Sequence, residues 1–225
     1  METTLHNINS LIINKYLETD ASLRSKSSYP YLVSYNRSIQ KNCGGVNIPI
    51  YFKQPQHWLS SCYDKELSKE EMEKYLIAEY EDSLFINPNR SYSPIRFFLK
   101  LKEILSILRP GINLIYNNLV KCSRRDKPDW YDPTLNDLFN QIMIDEFKLL
   151  NAPKSIFCVG PDGDYTSRMS YMFLNDVDIE KLTVERPFNV YKDFLGHELL
   201  HTYHPSYWNL INIDMEQVIL DFILR

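Results

Sequence analysis

Two neighbouring stretches of the chain carry residues whose types and spacing could do chemistry. His197-Glu198-Leu199-Leu200-His201 fits the H-E-x-x-H pattern, in which two imidazoles on one helical face hold zinc and the glutamate acts as general base. His204-Pro205-Ser206, just beyond it, offers one imidazole at the end of a short apolar run, the place where open α/β sheets bind ligands. Two further polar clusters also follow apolar runs: Asn87-Pro88-Asn89 after Leu84-Phe85-Ile86, and Asn117-Asn118 after residues 112–116. Amides and one imidazole, with no serine or cysteine nucleophile paired to a base, suit stabilising a leaving anion and orienting a water better than acyl transfer.

Local backbone preferences weigh against the zinc pattern. Gly196 precedes it, and glycine costs roughly 1 kcal/mol in a helix interior. Pro205 turns His204 away from helical angles. Leu199, His201 and Tyr203 alternate with Leu200, Thr202 and His204, as in a strand of period two. A third ligand would have to come from Asp214 or Glu216 on a separate segment. Zinc peptidase chemistry on His197, Glu198 and His201 is therefore the second reading, and no metal is expected.

Composition narrows the class. The 225 residues are 44% hydrophobic, enough for one sizeable core. Nothing approaches the ~18 apolar residues of a membrane span, and Met1-Glu2-Thr3-Thr4 opens no signal peptide, so a cytoplasmic location is expected. The four cysteines include no C-x-x-C pair, which predicts reduced thiols and no zinc knuckle or cluster. Six glycines supply no phosphate-cradling loop, and no cofactor is expected. A net charge of −4 excludes a protein coated in positive charge but leaves room for a local basic groove.

The elements that must position these residues follow from periodicity and punctuation. Residues 5–19 have the spacing of an amphipathic helix, and residues 20–62 read as ordered irregular chain with room for a short strand near 48–52. Ser68-Lys69-Glu70-Glu71 is a capping box opening a helix to about Tyr80, and Leu84-Phe85-Ile86 reads as a buried strand. Ser93-Pro94 starts a helix that Pro110-Gly111 stops. Strands are predicted over 112–116 and 156–159, a helix capped by Thr134 over 135–150, and a last helix capped by Asp214. With the run before His204 as fourth strand, the alternation predicts an α/β fold. The expectation is a three-layer α/β/α sandwich around a central, mostly parallel four-stranded sheet. It forms one domain over 1–225, with residues 1–80 an N-terminal helical and irregular extension packed on it.

Taken in order, Phe85-Ile86-Asn87-Pro88, Tyr116-Asn117-Asn118-Leu119-Val120-Lys121-Cys122 and Thr202-Tyr203-His204-Pro205-Ser206 resemble the uracil-DNA glycosylase superfamily. The stretch from Glu146 to Gly160 is similar to the same family between its second and last motifs, so the resemblance covers roughly 80–210. It implies a monofunctional DNA glycosylase that flips out a uracil or modified pyrimidine and hydrolyses its N-glycosidic bond, in repair or in defence against phage with modified DNA. Asn87 would position the attacking water, Asn118 would read the edge of the flipped base, and His204 would bond the base oxygen as charge develops. Ser206, Tyr207 and Trp208 match the loop that enters the duplex, and Phe97 or Phe98 would stack on the base. Asn89, Arg90, Lys121, Arg124 and Arg125 would line the path of single- or double-stranded DNA, with a solvated turn the rival role for the two arginines. The protein would act as a monomer.

The sequence also departs from the family pattern. Asn89 stands where the family has a glycine after "NP", and the partners of an iron–sulfur cluster are missing, so Cys122 is not expected to be a ligand. An Asn in place of an acidic water activator keeps a third reading open, a nucleic-acid-binding relative without turnover.

Overall fold

The computed structural model describes residues 5–33, 45–53, 66–89, 91–127, 131–161, 163–174 and 186–225. Along the chain run α1 (Leu5–Glu18), α2 (Ala21–Arg24), β1 (Val46–Phe52), α3 (Lys69–Glu81), a π-helical turn (Asp82–Ile86), α4 (Ser93–Leu108) and β2 (Ile112–Asn118). There follow α5 (Pro133–Asp137), α6 (Asn140–Leu150), β3 (Lys154–Cys158), α7 (Gly163–Phe173), β4 (Phe188–Lys192), β5 (Glu198–Thr202), a 3-10 turn (Pro205–Leu210) and α8 (Met215–Leu224). These elements gather into two compact units. One draws on Met1–Arg37, Gln54–Pro88 and Val120–Leu149, the other on Ser38–Lys53, Asn89–Leu119 and Leu150–Arg225. No helix of the described residues is long and apolar enough to cross a membrane.

The first unit is helical. Helix α1 buries Ile8, Ile12 and Tyr16, one face at a spacing of four residues. Residues 26–33 lie antiparallel to the segment after β2: Ser28 N–H donates to Ser123 O (2.8 Å), Tyr31 N–H to Lys121 O (2.7 Å) and Arg125 N–H to Lys26 O (2.8 Å). Helix α3 opens on the expected capping box, Ser68 with Glu71, and buries Met72, Leu76 and Tyr80. The expected strand at Leu84-Phe85-Ile86 does not form. Nothing breaks the helix at Glu81, so the chain winds on as a π turn, closed by Asn87 N–H to Asp82 O (2.8 Å), and ends before Pro88. Only Leu84 is buried there, and Ile86 is 68% exposed.

The predicted helix over 135–150 is two helices, and its cap is Asp132, whose side chain takes Leu135 N–H. Asn136, within α5, turns its side chain to the segment after β2. Its Oδ1 accepts the N–H groups of Lys121 (2.9 Å) and Cys122 (3.0 Å), and its Nδ2 donates to Cys122 O (2.9 Å).

The second unit holds the sheet, in the order β2-β1-β3-β5-β4. The first four of these are parallel, and β4 pairs antiparallel with β5. The sheet thus has five strands rather than four: β1 takes the place expected for 84–86, and β4 is an added edge. The β1–β3 ladder begins at Ile50, just past Pro49, which has no N–H to give it. The β4–β5 hairpin turns on Asp193, whose Oδ1 accepts Leu195 N–H (2.8 Å) and His197 N–H (2.9 Å), and on Gly196 at φ +83°.

Register and alternation sort the sheet faces. Phe52, Tyr116, Asn118, Cys158 and Thr202 share one face, covered by α4 through Phe98 on Tyr116 (5.4 Å between centroids) and by α8 through Met215 at Thr202 (3.8 Å). Tyr51, Phe157 and His201 share the other, where Phe173 of α7 packs 5.2 Å from Phe157 and 5.9 Å from Tyr51. Helices on both faces make this unit three-layered.

Candidate functional site at the carboxyl ends of the strands

Four parallel strands end on one side of the sheet and deliver Lys53, Asn118, Gly160 and His204 there. Main-chain bonds carry the ladders past the strand ends: Leu119 N–H donates to Phe52 O (2.7 Å) and Gly160 N–H to Thr202 O (2.9 Å). Gly160 O accepts from Thr166 Oγ1 (3.0 Å) and from His201 Nε2 (3.2 Å). Its φ of +77° is the left-handed region that glycine occupies without strain. A Cβ placed on Gly160 would lie 3.6 Å from His204 N and 3.9 Å from Lys53 Cε, so three strand ends meet at this point.

His204 is 8% exposed. Pro205 at the first position of the 3-10 turn fixes the backbone, and His204 caps that turn, its Nδ1 accepting Ser206 N–H at 3.4 Å. An Nδ1 that accepts leaves the proton on Nε2, which is then a donor. Burial, and secondarily the nearby charge of Lys53, pushes the imidazole down to about 4 from its ordinary 6.5, so the ring is neutral at neutral pH. Phe52 stands edge-to-face to it at 6.4 Å and stacks on Tyr116 at 4.6 Å, spanning the distance from β2 to the histidine.

Asn118 closes β2 on the same sheet end. Its side chain is buried, and Oδ1 has no hydrogen-bond partner among the described residues. Asn117, on the opposite face of β2, accepts Asn118 N–H through Oδ1 (2.8 Å). A buried, unmet acceptor at a strand end can take a hydrogen bond from a donor that enters there.

The remaining candidates divide. Phe98 is buried in the core, and Phe97, also buried, stands edge-to-face to Trp208 at 4.6 Å. Trp208 turns inward, its Nε1–H donating to Tyr203 O (2.8 Å), while Ser206 is exposed and Tyr207 is 46% exposed. The most exposed apolar side chain of that turn is Leu210, at 75%. Asn89 shapes the turn into α4 by accepting from Ser91 N (3.2 Å) and Ser91 Oγ (2.6 Å). Arg90 lies outside the described residues.

Asn87, Lys121, Arg124 and Arg125 belong to the other unit. Asn87 is exposed and donates through Nδ2 to Asp82 Oδ1 (2.8 Å). Lys121 is 0% exposed, with Nζ 3.1 and 3.0 Å from the two oxygens of buried Glu146, which takes it away from any phosphate. Arg124 makes a two-bonded pair with Asp126 (3.0 and 2.7 Å), and Arg125 Nε donates to Ser27 O (2.6 Å). Both arginines are engaged in holding the turn.

The H-E-x-x-H stretch is not helical. Glu198 to Thr202 form β5, His201 points into the α7 face with Nε2 on Gly160 O, and His197 sits in the hairpin turn, so the two imidazoles share no helical face. Among the described residues no three His, Cys, Asp or Glu side chains gather to hold a metal ion.

Lys53, Phe52 and Gly160 were not among the expected site residues. Their signal was weak, since β1 reads as a short apolar run broken by Pro49. A cleft of about 130 Å³ between α4 and α8, lined by Phe97, Leu101, Ile104 and Leu220, contains none of His204, Asn118 or Gly160. Set against known proteins, the chain matches no family model and no curated protein.

Proposed function

We propose that the protein is a monofunctional DNA glycosylase acting on uracil or a modified pyrimidine. The observation that carries the reading is His204: a neutral imidazole, nine-tenths buried at a parallel strand end, with Nδ1 occupied by Ser206 N–H and Nε2–H left as donor. A neutral donor in a desolvated site stabilises an oxygen on which negative charge develops, and needs no reorganisation to do so. Asn118 supports the reading from the same sheet end, where its unmet Oδ1 can accept an N–H from a pyrimidine edge.

The N-glycosidic bond breaks with its electron pair going to the base, and water adds to C1′. The resemblance assigns that water to Asn87. In this account Leu210 and Tyr207 are the apolar tip that enters the duplex, and Trp208 anchors the turn from behind.

The test is a panel of single- and double-stranded oligonucleotides carrying uracil, mismatched thymine, hydroxymethylcytosine or its glucosylated form. Alkali-sensitive abasic sites on at least one member are expected. Tight binding with no abasic site on any would favour the reading of a binding protein without turnover.

A further inference from the structure

The strand-end site contains one group that neither the motifs nor the reading above uses. Lys53 is the first residue past β1, and its Cε comes within 3.9 Å of the Gly160 Cβ position that also lies 3.6 Å from His204 N. Its Nζ stands 5.1 Å from the ring centroid of Tyr165, in the first turn of α7, and 5.9 Å from that of Tyr207, in the turn after His204. Two aromatic faces fix where the Lys53 nitrogen sits. His204 gives a directed hydrogen bond but no net charge, because burial keeps its ring neutral.

We propose that Lys53 is a further catalytic residue of this site, supplying the fixed positive charge against which a pyrimidine ring leaves as an anion. The inference rests on the excision reading. When the C1′–N1 bond breaks, both electrons go to the ring and spread onto its exocyclic oxygens, while C1′ becomes an oxocarbenium centre. Water forms the new C1′–O bond and gives its proton to solvent, and the departed ring regains a proton at N1 from solvent. Between those events the ring is an anion. His204 Nε2–H meets one of its oxygens, and the Lys53 ammonium balances the charge. Lys53 lies at that point beside Gly160, whose backbone is held by Thr166, His201 and Thr202.

The test uses the full chain and two probes, barbiturate, a pyrimidine ring that is anionic at neutral pH, and uracil, which is neutral there. Binding of both is measured by calorimetry to the wild type, Lys53→Gln and Lys53→Arg, with thermal melting checking that each variant folds. The wild type should prefer barbiturate by about tenfold or more, the size of one modest charge interaction. Lys53→Gln should abolish that preference with uracil binding little changed, and Lys53→Arg should keep most of it.

A preference that is absent in the wild type, or unmoved in Lys53→Gln, overturns the proposal while leaving excision to be judged by the oligonucleotide panel. A preference that depends on Lys53, in a protein that makes no abasic site on the panel, means that the site holds an anionic ring without cleaving the bond. That result overturns the catalytic role together with the excision reading and keeps only the anion site.

Discussion

His204 Nδ1 accepts the backbone N–H of Ser206 at 3.4 Å, and this one contact sets the chemistry of the strand-end site. It ties the ring to the backbone that Pro205 fixes, and it assigns the remaining proton to Nε2. Burial then keeps the ring neutral, so it enters any reaction as a hydrogen-bond donor rather than as a cation or a base.

The same burial makes stability depend on pH. His201 and His204 are each pushed down to about 4 from an ordinary 6.5, chiefly by burial. Between those values the unfolded chain binds protons that the folded chain refuses, so stability is full above about 6.5 and is lost as pH falls toward 4. Each histidine should account for about 3 kcal/mol of that loss. Urea unfolding of the wild type and His204→Asn across pH 7 to 4 checks this. The variant should lose distinctly less stability over the range, and equal losses would contradict the assignment.

Lys121 is expected to matter for folding rather than for DNA. Its ammonium and the Glu146 carboxylate are both fully buried and bonded to each other, so Lys121→Met leaves an unpaired buried charge and should cost about 3–5 kcal/mol. Replacing both, as Lys121→Met with Glu146→Leu, should recover much of that loss. Chemical denaturation of the single and double variants decides. A single variant of normal stability with weakened DNA binding would return Lys121 to the nucleic-acid surface.

How far the sequence could be read divides along physical lines. Local signals held where they were strong: Ser68, the Ser93-Pro94 start and Asp214 open helices where expected, and 112–116, 156–159 and the run before His204 lie in or extend strands. Three apolar residues at 84–86 were too few to separate a strand from one more turn of an unbroken helix. Strand β4 is hard to read because Phe188-Asn189-Val190-Tyr191-Lys192 is a short edge that, among the described residues, pairs with β5 alone, and β1 is weakened as a strand signal by Pro49 inside it. In the site, His204 and Asn118 were legible as polar residues ending apolar runs. Lys53 is not, because the strand end it lies beside, at Gly160, is more than a hundred residues away. Lys121 read as surface because its partner, Glu146, is 25 positions on.

Leu210 should separate duplex from single-stranded substrates. It is the most exposed apolar side chain of the turn after His204, whereas Trp208 is bonded inward to Tyr203 O. Leu210→Ala should slow single-turnover excision from duplex by about tenfold, since pushing a base out of the stack costs a few kcal/mol, and should spare single strands. Equal losses on both would assign Leu210 another role.

Asn118 should set the choice of pyrimidine. Its unmet Oδ1 accepts, its Nδ2 donates, and an aspartate keeps only acceptors. In an enzyme that removes uracil, Asn118→Asp should lose uracil excision and gain some activity on cytosine, which offers an amino donor. In an enzyme that already removes a modified cytosine, the same change should cost much less. Rates on matched uracil and cytosine oligonucleotides report it. Unchanged selectivity would mean that the base is read elsewhere.

The most direct test of the account is single-turnover excision by the wild type and His204→Ala on the best substrate of the panel, with DNA affinity measured in parallel. Removing one donor aimed at a developing anion should slow excision by about 10²–10³, while affinity, dominated by phosphate contacts, stays nearly constant. Excision at the wild-type rate, or a loss that appears only in binding, would contradict the role of His204 on which the reading stands.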